Sequence, residues 1–282
     1  MKGTRNAQTQ LDSVTTSPQR VYVTFHWSSH FALSLRASVS RSVTGTTTMN
    51  FLDSPLSKPA PYVVAPIEHR FDPYEDNGGT SVAIAGEDFC VVASDTRQSN
   101  GYSINSRYAP KAYKMSSTAV LSCNGFHADG VTLKKVLEQR MKMYKYSHDK
   151  DMTVTALAQM LSNTLYQRRF FPYYAFCLLG GVDAEGKGAV YCYDSVGSFE
   201  RENYRTSGSA SALIQPFLDN QVGRKNQQNA STAPLTLEAV LRITKDAFSS
   251  ATERDIHTGD NLQIFIITRD GVEEQNYPLK RD

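Results

Sequence analysis

The chain has 282 residues, of which 40% are apolar and 21% charged, with a formal net charge of +2. That length fits one large domain or two small ones, and the near-neutral charge gives no electrostatic footprint for nucleic acid or an anionic membrane. No apolar run approaches the roughly 18 residues of a membrane-spanning helix, and Cys90, Cys123, Cys177 and Cys192 lack the C-x-x-C spacing of a zinc site, which leaves reduced core thiols.

The first 60 residues hold 10 Ser and 9 Thr but only two acids, Asp12 and Asp53, and show no lasting apolar period. Such a segment cannot bury enough surface to offset its ordering entropy and reads as a disordered leader over 1–69. Arg5, Arg20, Arg36 and Arg41 among many serines also suit a transit peptide, and Met49 offers an alternative start. From Gly79 the chain reads as globular. Thr80–Ala85 and Phe89–Asp95 are expected strands joined by Gly86-Glu87-Asp88, and Val120–Cys123 is a third. Leu133, Val136, Leu137, Met141 and Tyr144 predict a helix near 130–146; Val154, Leu157, Leu161 and Leu165 predict a second, capped by Asp151 or Thr153. Strands at Tyr173–Leu179 and Gly188–Tyr193 flank a turn spanning Gly180 to Gly186, helices follow near 209–221 and 236–252, and Leu262–Thr268 with Val272–Leu279 close a hairpin at Asp270-Gly271. Runs of strands followed by pairs of helices predict an α+β fold of layered sheets covered by helices.

Nucleotide-binding, zincin and nucleophile-elbow motifs are absent. His127 and His257 read as hydrogen-bonded structural residues, and Arg168-Arg169-Phe170-Phe171-Pro172-Tyr173-Tyr174 reads as a helix end entering a core strand rather than a nucleic-acid patch.

The stretch from Asn77 to Arg97 (NGGTSVAIAGEDFCVVASDTR) resembles the start of a mature proteasome beta subunit. Pro110-Lys111, Ser207-Gly208-Ser209-Ala210-Ser211 and Glu253-Arg254-Asp255-Ile256-His257-Thr258-Gly259-Asp260 extend the resemblance in order over residues 70–282. Arg70-Phe71-Asp72-Pro73-Tyr74 and Gly125-Phe126-His127 point within that family to the sixth ring position. The resemblance implies the N-terminal-nucleophile hydrolase sandwich, two antiparallel sheets between two helix layers. In active members an exposed threonine attacks the peptide carbonyl with its own α-amine as base, supported by an aspartate sixteen residues on and a lysine thirty-two residues on.

Counting sixteen back from Asp95 and thirty-two back from Lys111 reaches Gly79 in both cases, a residue with no hydroxyl. Thr80 stands one residue late, on the opposite face of an extended strand. A second threonine tract, Gly45-Thr46-Thr47-Thr48, has Tyr62 and Gly78 at the partner spacings and is a chance feature of the leader. The resemblance therefore implies a non-catalytic subunit that keeps Asp95, Lys111, Ser209, Asp255 and Thr258 as a scaffold, with Lys111 paired to Asp95. It also implies cleavage of the leader at His69-Arg70 by another subunit, and places Asp183 at the wall of the adjacent chymotrypsin-like subunit's substrate pocket. No cofactor or metal is implied. The expected partners are beta subunits of the same ring, the opposite beta ring, the alpha ring and assembly chaperones, in cytoplasm and nucleus.

Overall fold

Side-chain alternation along the strands decides the layering. The computed structural model describes residues 70–231 and 233–282. The leader with Met49, the Gly45–Thr48 tract and His69 lies outside them. Strands β1 (Thr80–Ala85), β2 (Cys90–Asp95), β3 (Gln98–Asn100), β4 (Ser103–Ser106), β5 (Ala112–Lys114) and β6 (Ala119–Gly125) lead into helices α1 (His127–His148) and α2 (Val154–Tyr166). Four more strands follow, β7 (Ala175–Val182), β8 (Gly188–Tyr193), β9 (Phe199–Glu202) and β10 (Tyr204–Gly208), then α3 (Ser211–Gln221), α4 (Leu237–Thr252), β11 (Asn261–Thr268) and β12 (Gly271–Pro278).

Two five-stranded antiparallel sheets result, in the orders β10-β1-β2-β11-β12 and β5-β6-β7-β8-β9, with β3 and β4 as a separate hairpin. Both central strand sets are apolar on two faces, and each face has its own core. Val82, Ile84, Val91, Ala93, Leu262, Ile264 and Ile266 of the first sheet pack on Ile214, Leu218, Val240 and Phe248 of α3 and α4. In the second sheet, Leu121, Cys123, Cys177 and Leu179 pack on Leu133, Leu137, Leu157 and Leu161 of α1 and α2. The intervening residues, Ala83, Cys90, Val92, Phe265 and Ile267 against Val120, Leu178 and Val190, form the layer between the sheets. The order is helix, sheet, sheet, helix, as the resemblance implies and in keeping with the strand and helix runs.

The helix starts follow local chemistry. Thr153, not Asp151, caps α2 by accepting from the Ala156 amide, and Thr236 caps α4 by accepting from Ala239. Asp151 instead pairs with Lys145. The Arg168–Tyr174 stretch links α2 to β7, and the Arg168 guanidinium lies 4.7 Å over the Tyr173 ring.

The structure corrects several boundaries. The first helix begins at His127 and the strand after α2 at Ala175. Strands β3, β4, β5, β9 and β10 have no counterpart in the sequence reading because they are short and partly polar. Gly180 and Gly181 belong to β7 and are not turn residues; the turn begins at Asp183. The two glycines serve close approach instead. A Cβ on Gly180 would collide with Val92 across the sheets and lie 2.9 Å from the Cys90 sulfur, and one on Gly181 would collide with the Thr118 carbonyl.

Gly180→Ala is expected to force the sheets apart and lower stability by about 1–3 kcal/mol, measured by denaturant unfolding. An unchanged midpoint would mean that the inter-sheet layer yields without cost.

Candidate functional site

Gly79, Asp95 and Lys111 converge at one end of the sandwich. Asp95, the last residue of β2, is fully buried, and its Oδ1 accepts from the Thr80 amide at 2.8 Å while Oδ2 accepts from the Gly259 amide at 3.2 Å. Lys111 precedes β5 and is also buried; its Nζ lies 3.0 Å from Asp95 Oδ1 and donates to the Arg97 carbonyl at 2.7 Å. Burial pushes the Asp95 carboxyl up and the Lys111 ammonium down, and their mutual attraction opposes both shifts.

Gly79 has φ +84°, in the left-handed region. A Cβ there would collide with Lys111 Cε and sit 2.7 Å from Nζ, so the lysine fills the volume that a side chain at 79 would need. The Gly79 carbonyl accepts from the Ser209 amide at 3.0 Å.

Thr80 begins β1 with its side chain buried. Its hydroxyl accepts from the Ala210 amide at 3.0 Å and lies 2.8 Å from Thr258 Oγ1. The Thr258 and Ser209 hydroxyls each donate to Asp255 Oδ2 at 2.6 Å, and Asp255 Oδ1 accepts from the His257 amide. Since Thr258 spends its proton on Asp255, it accepts from Thr80. Thr80 and Thr258 thus form one directed chain ending on the Asp255 carboxylate, where Ser209 donates separately. The Thr80 hydroxyl is buried and already holds one donor and one acceptor, and Thr80 has no free amine, because its nitrogen is a peptide amide bound to Asp95.

The residues ahead of Gly79 are pinned as well. The Asn77 amide donates to Gly125 O at 3.0 Å, and its carbonyl accepts from the Ser99 amide at 3.1 Å. Its side chain accepts from the His127 amide at 2.9 Å and donates to Ser99 O at 3.3 Å. Asn77 therefore joins the end of β6 to β3. His257 Nδ1 lies 2.8 Å from Ser99 Oγ, and burial lowers the pKa of His127, assisted by Lys111. His257 is hydrogen-bonded through its ring, as the sequence implies, whereas His127 is tied to the frame through its backbone amide. A cleft of about 650 Å³ opens beside this region, with Gly78, Gly125, Phe176, Cys192, Ser207 and Ser209 among its walls.

Sequence reasoning missed the fastening behind the pair. Arg97 is buried and places Nε 2.8 Å from Asp260 Oδ2, while Nη1 donates to Ile256 O at 2.9 Å. Arg107 Nη1 meets Asp260 Oδ1 at 2.6 Å. Burial alone would raise the Asp260 carboxyl; the two guanidiniums outweigh it and hold it below the usual carboxylate range. Both Arg97 and Asp260 stand inside the quoted motifs, so an acid and a base flanking the scaffold residues was the available signal.

Asp183 is not part of this cluster. The pairing of Gly125 with Ala175 and of Val182 with Gly188 puts it at the opposite end of β7. Its Oδ1 accepts from the amides of Glu185 at 3.0 Å and Lys187 at 2.9 Å, and its Oδ2 meets Arg201 Nη2 at 2.9 Å. Partial burial works against ionisation there, but these donors keep the carboxyl below its ordinary range. Arg70, the described half of the expected cleavage junction, is exposed.

Comparison with known proteins matches the family description "Proteasome subunit" over residues 75–267. "Proteasome subunit beta type-1" of Danio rerio is 54% identical over 221 residues, covering 78% of this chain and 93% of that protein. The Arabidopsis thaliana protein of the same name is 51% identical over 217 residues, covering 76% and 97%. "Proteasome subunit beta type-6" of Saccharomyces cerevisiae is 50% identical over 226 residues, covering 77% and 94%.

Two predictions follow from the charges. Lys111→Met leaves Asp95 buried without its counter-ion and is expected to cost about 3–5 kcal/mol in unfolding free energy, with much of that regained in Lys111→Met/Asp95→Leu; equal losses in single and double variants would mean that the pair is uncoupled. Asp260 has a depressed pKa, so its contribution is present above the unfolded carboxylate value of about 3.9 and is lost as pH falls through its lower folded value. Asp260→Asn is expected to destabilise at neutral pH, with the gap to wild type closing below about pH 4 in thermal melts.

Proposed function

We propose that this chain, which belongs to the proteasome subunit family, is a non-catalytic beta subunit of the 20S core: it builds a beta ring and helps enclose the proteolytic chamber without cutting peptides itself. The observation that carries the reading is the occupancy of the nucleophile position. Gly79 has no hydroxyl, its backbone is left-handed, and the Lys111 side chain fills the space beside it. An active threonine peptidase of the same fold needs a hydroxyl and a free amine there, and the threonine next in sequence, Thr80, has its hydroxyl hydrogen-bonded and its nitrogen in a peptide bond.

Within this reading the chain contacts beta subunits of its own ring at the sixth position, the opposite beta ring and the alpha ring, assembles with the help of chaperones, and resides in cytoplasm and nucleus. The leader is removed at His69-Arg70 by an active neighbour, since Gly79 supplies no self-processing nucleophile. Asp183 shapes the wall of the adjacent chymotrypsin-like subunit's pocket. The support for this is indirect: its carboxylate locks the Asp183–Lys187 turn through two amides and Arg201, so its effect on a neighbour is exerted through the shape of that turn.

Purification under native conditions, with and without a covalent threonine-directed inhibitor, tests the main reading. The expected result is a complex near the megadalton scale in which this chain carries no label; a small labelled protein would overturn it. Gly79→Thr is expected to give no new peptide hydrolysis and to lower stability, since a β-branched residue in the left-handed region costs about 1–2 kcal/mol before the clash with Lys111 is counted. Asp183→Ala should weaken chymotrypsin-like turnover severalfold while leaving the other two activities and assembly intact; parallel loss of all three would assign it to the fold alone.

A further inference from the structure

Cys123 and Cys177 stand 54 residues apart in sequence, and the register of β6 and β7 makes them direct cross-strand partners. Their sulfurs lie 3.5 Å apart. Directly opposed residues of an antiparallel pair have Cα atoms about 4.5–5.5 Å apart, inside the range of about 4.4–6.8 Å that a disulfide spans. Both side chains point into the core beneath α1 and α2, where Gly130 of α1 seats the helix directly on Cys123: a Cβ there would lie 3.1 Å from the Cys123 Cβ. The other two thiols are on the opposite face of their strands. Cys90 belongs to the layer between the sheets, and Cys192 is paired with Leu178, whose side chain enters that same layer.

We propose that Cys123 and Cys177 are a latent oxidation site that closes into a cross-strand disulfide when a peroxide reaches them. One thiolate attacks a peroxide oxygen, the O–O bond breaks, and a sulfenic acid and one water result. The second thiol then attacks the sulfenic sulfur, the S–S bond forms, and the second water leaves with its proton. Overall, two thiols and one hydrogen peroxide give one disulfide and two waters, the sulfurs losing two electrons that reduce the peroxide.

Access governs the rate. Cys177 is fully buried and Cys123 nearly so. The neighbouring thiol and burial together push the Cys177 thiol well up, which keeps its reactive thiolate scarce in the closed fold. Oxidation therefore requires the α1–α2 layer to lift from the sheet, and the bond records that opening. Once made, it fastens β6 to β7, and β6 leads straight into Gly125 and the Asn77 hydrogen bonds.

The test uses the full chain, and its assembled form where that is isolated. Samples are treated with hydrogen peroxide, denatured, alkylated and mapped by mass spectrometry. The expected result is the loss of two of the four alkylatable thiols, a peptide linking 123 to 177 that is about 2 Da lighter than its reduced parts, reversal by a dithiol reductant, and a raised melting temperature. Cys192→Ala should leave this outcome unchanged, and Cys177→Ser should abolish the linked peptide. Oxidation confined to Cys192 or Cys90, higher sulfur oxyacids at 123 and 177, or four intact thiols after prolonged treatment would each overturn the proposal; because the wild-type map decides it, poor folding of a variant does not.

Discussion

The buried pair of Lys111 and Asp95 is the constraint on which the rest of this end of the molecule depends. Asp95 closes a strand of one sheet and Lys111 immediately precedes a strand of the other, so the 3.0 Å contact bridges the sandwich. Each partner also organises backbone: Asp95 takes the amides of Thr80 and Gly259, and Lys111 takes the carbonyl of Arg97. Neither charge is tolerable alone in a dry interior. Retention of one therefore enforces retention of the other, whether or not any chemistry is asked of them.

Around that pair the polar groups are consumed in structure. The hydroxyls of Thr80, Thr258 and Ser209 all run toward Asp255, and Arg97 and Arg107 converge on Asp260. A site poised for proton transfer needs a group whose lone pair or proton is free at the point of attack. Here each hydroxyl in the chain already has a donor, an acceptor or both, and the result is a rigid corner of the fold.

The spacing of Asp95 and Lys111 from Gly79 was legible in the sequence because it is arithmetic, and the central strands and the helices were legible because their apolar periods are strong. The short strands β3, β4 and β9 were not, since their polar and exposed residues carry no apolar period of two, and β5 and β10 were not because each is short and holds few apolar residues. Gly180 and Gly181 misled for a physical reason: glycine marks turns in isolation, yet here Gly180 lets the two sheets touch and Gly181 admits the Thr118 carbonyl and Val154 of α2. The role of Asn77 was hidden because its hydrogen bonds go to residues 22 to 50 positions away. The opposition of Cys123 and Cys177 was equally hidden, as it exists only once the register of β6 and β7 is known.

The shared volume at positions 79 and 111 has a corollary. A side chain at 79 requires Lys111 to retract, and a shortened residue at 111 strands Asp95 in the interior. The two positions therefore constrain each other: a side chain enters at 79 only if Lys111 moves aside while still reaching Asp95, so changes at 79 and 111 do not add.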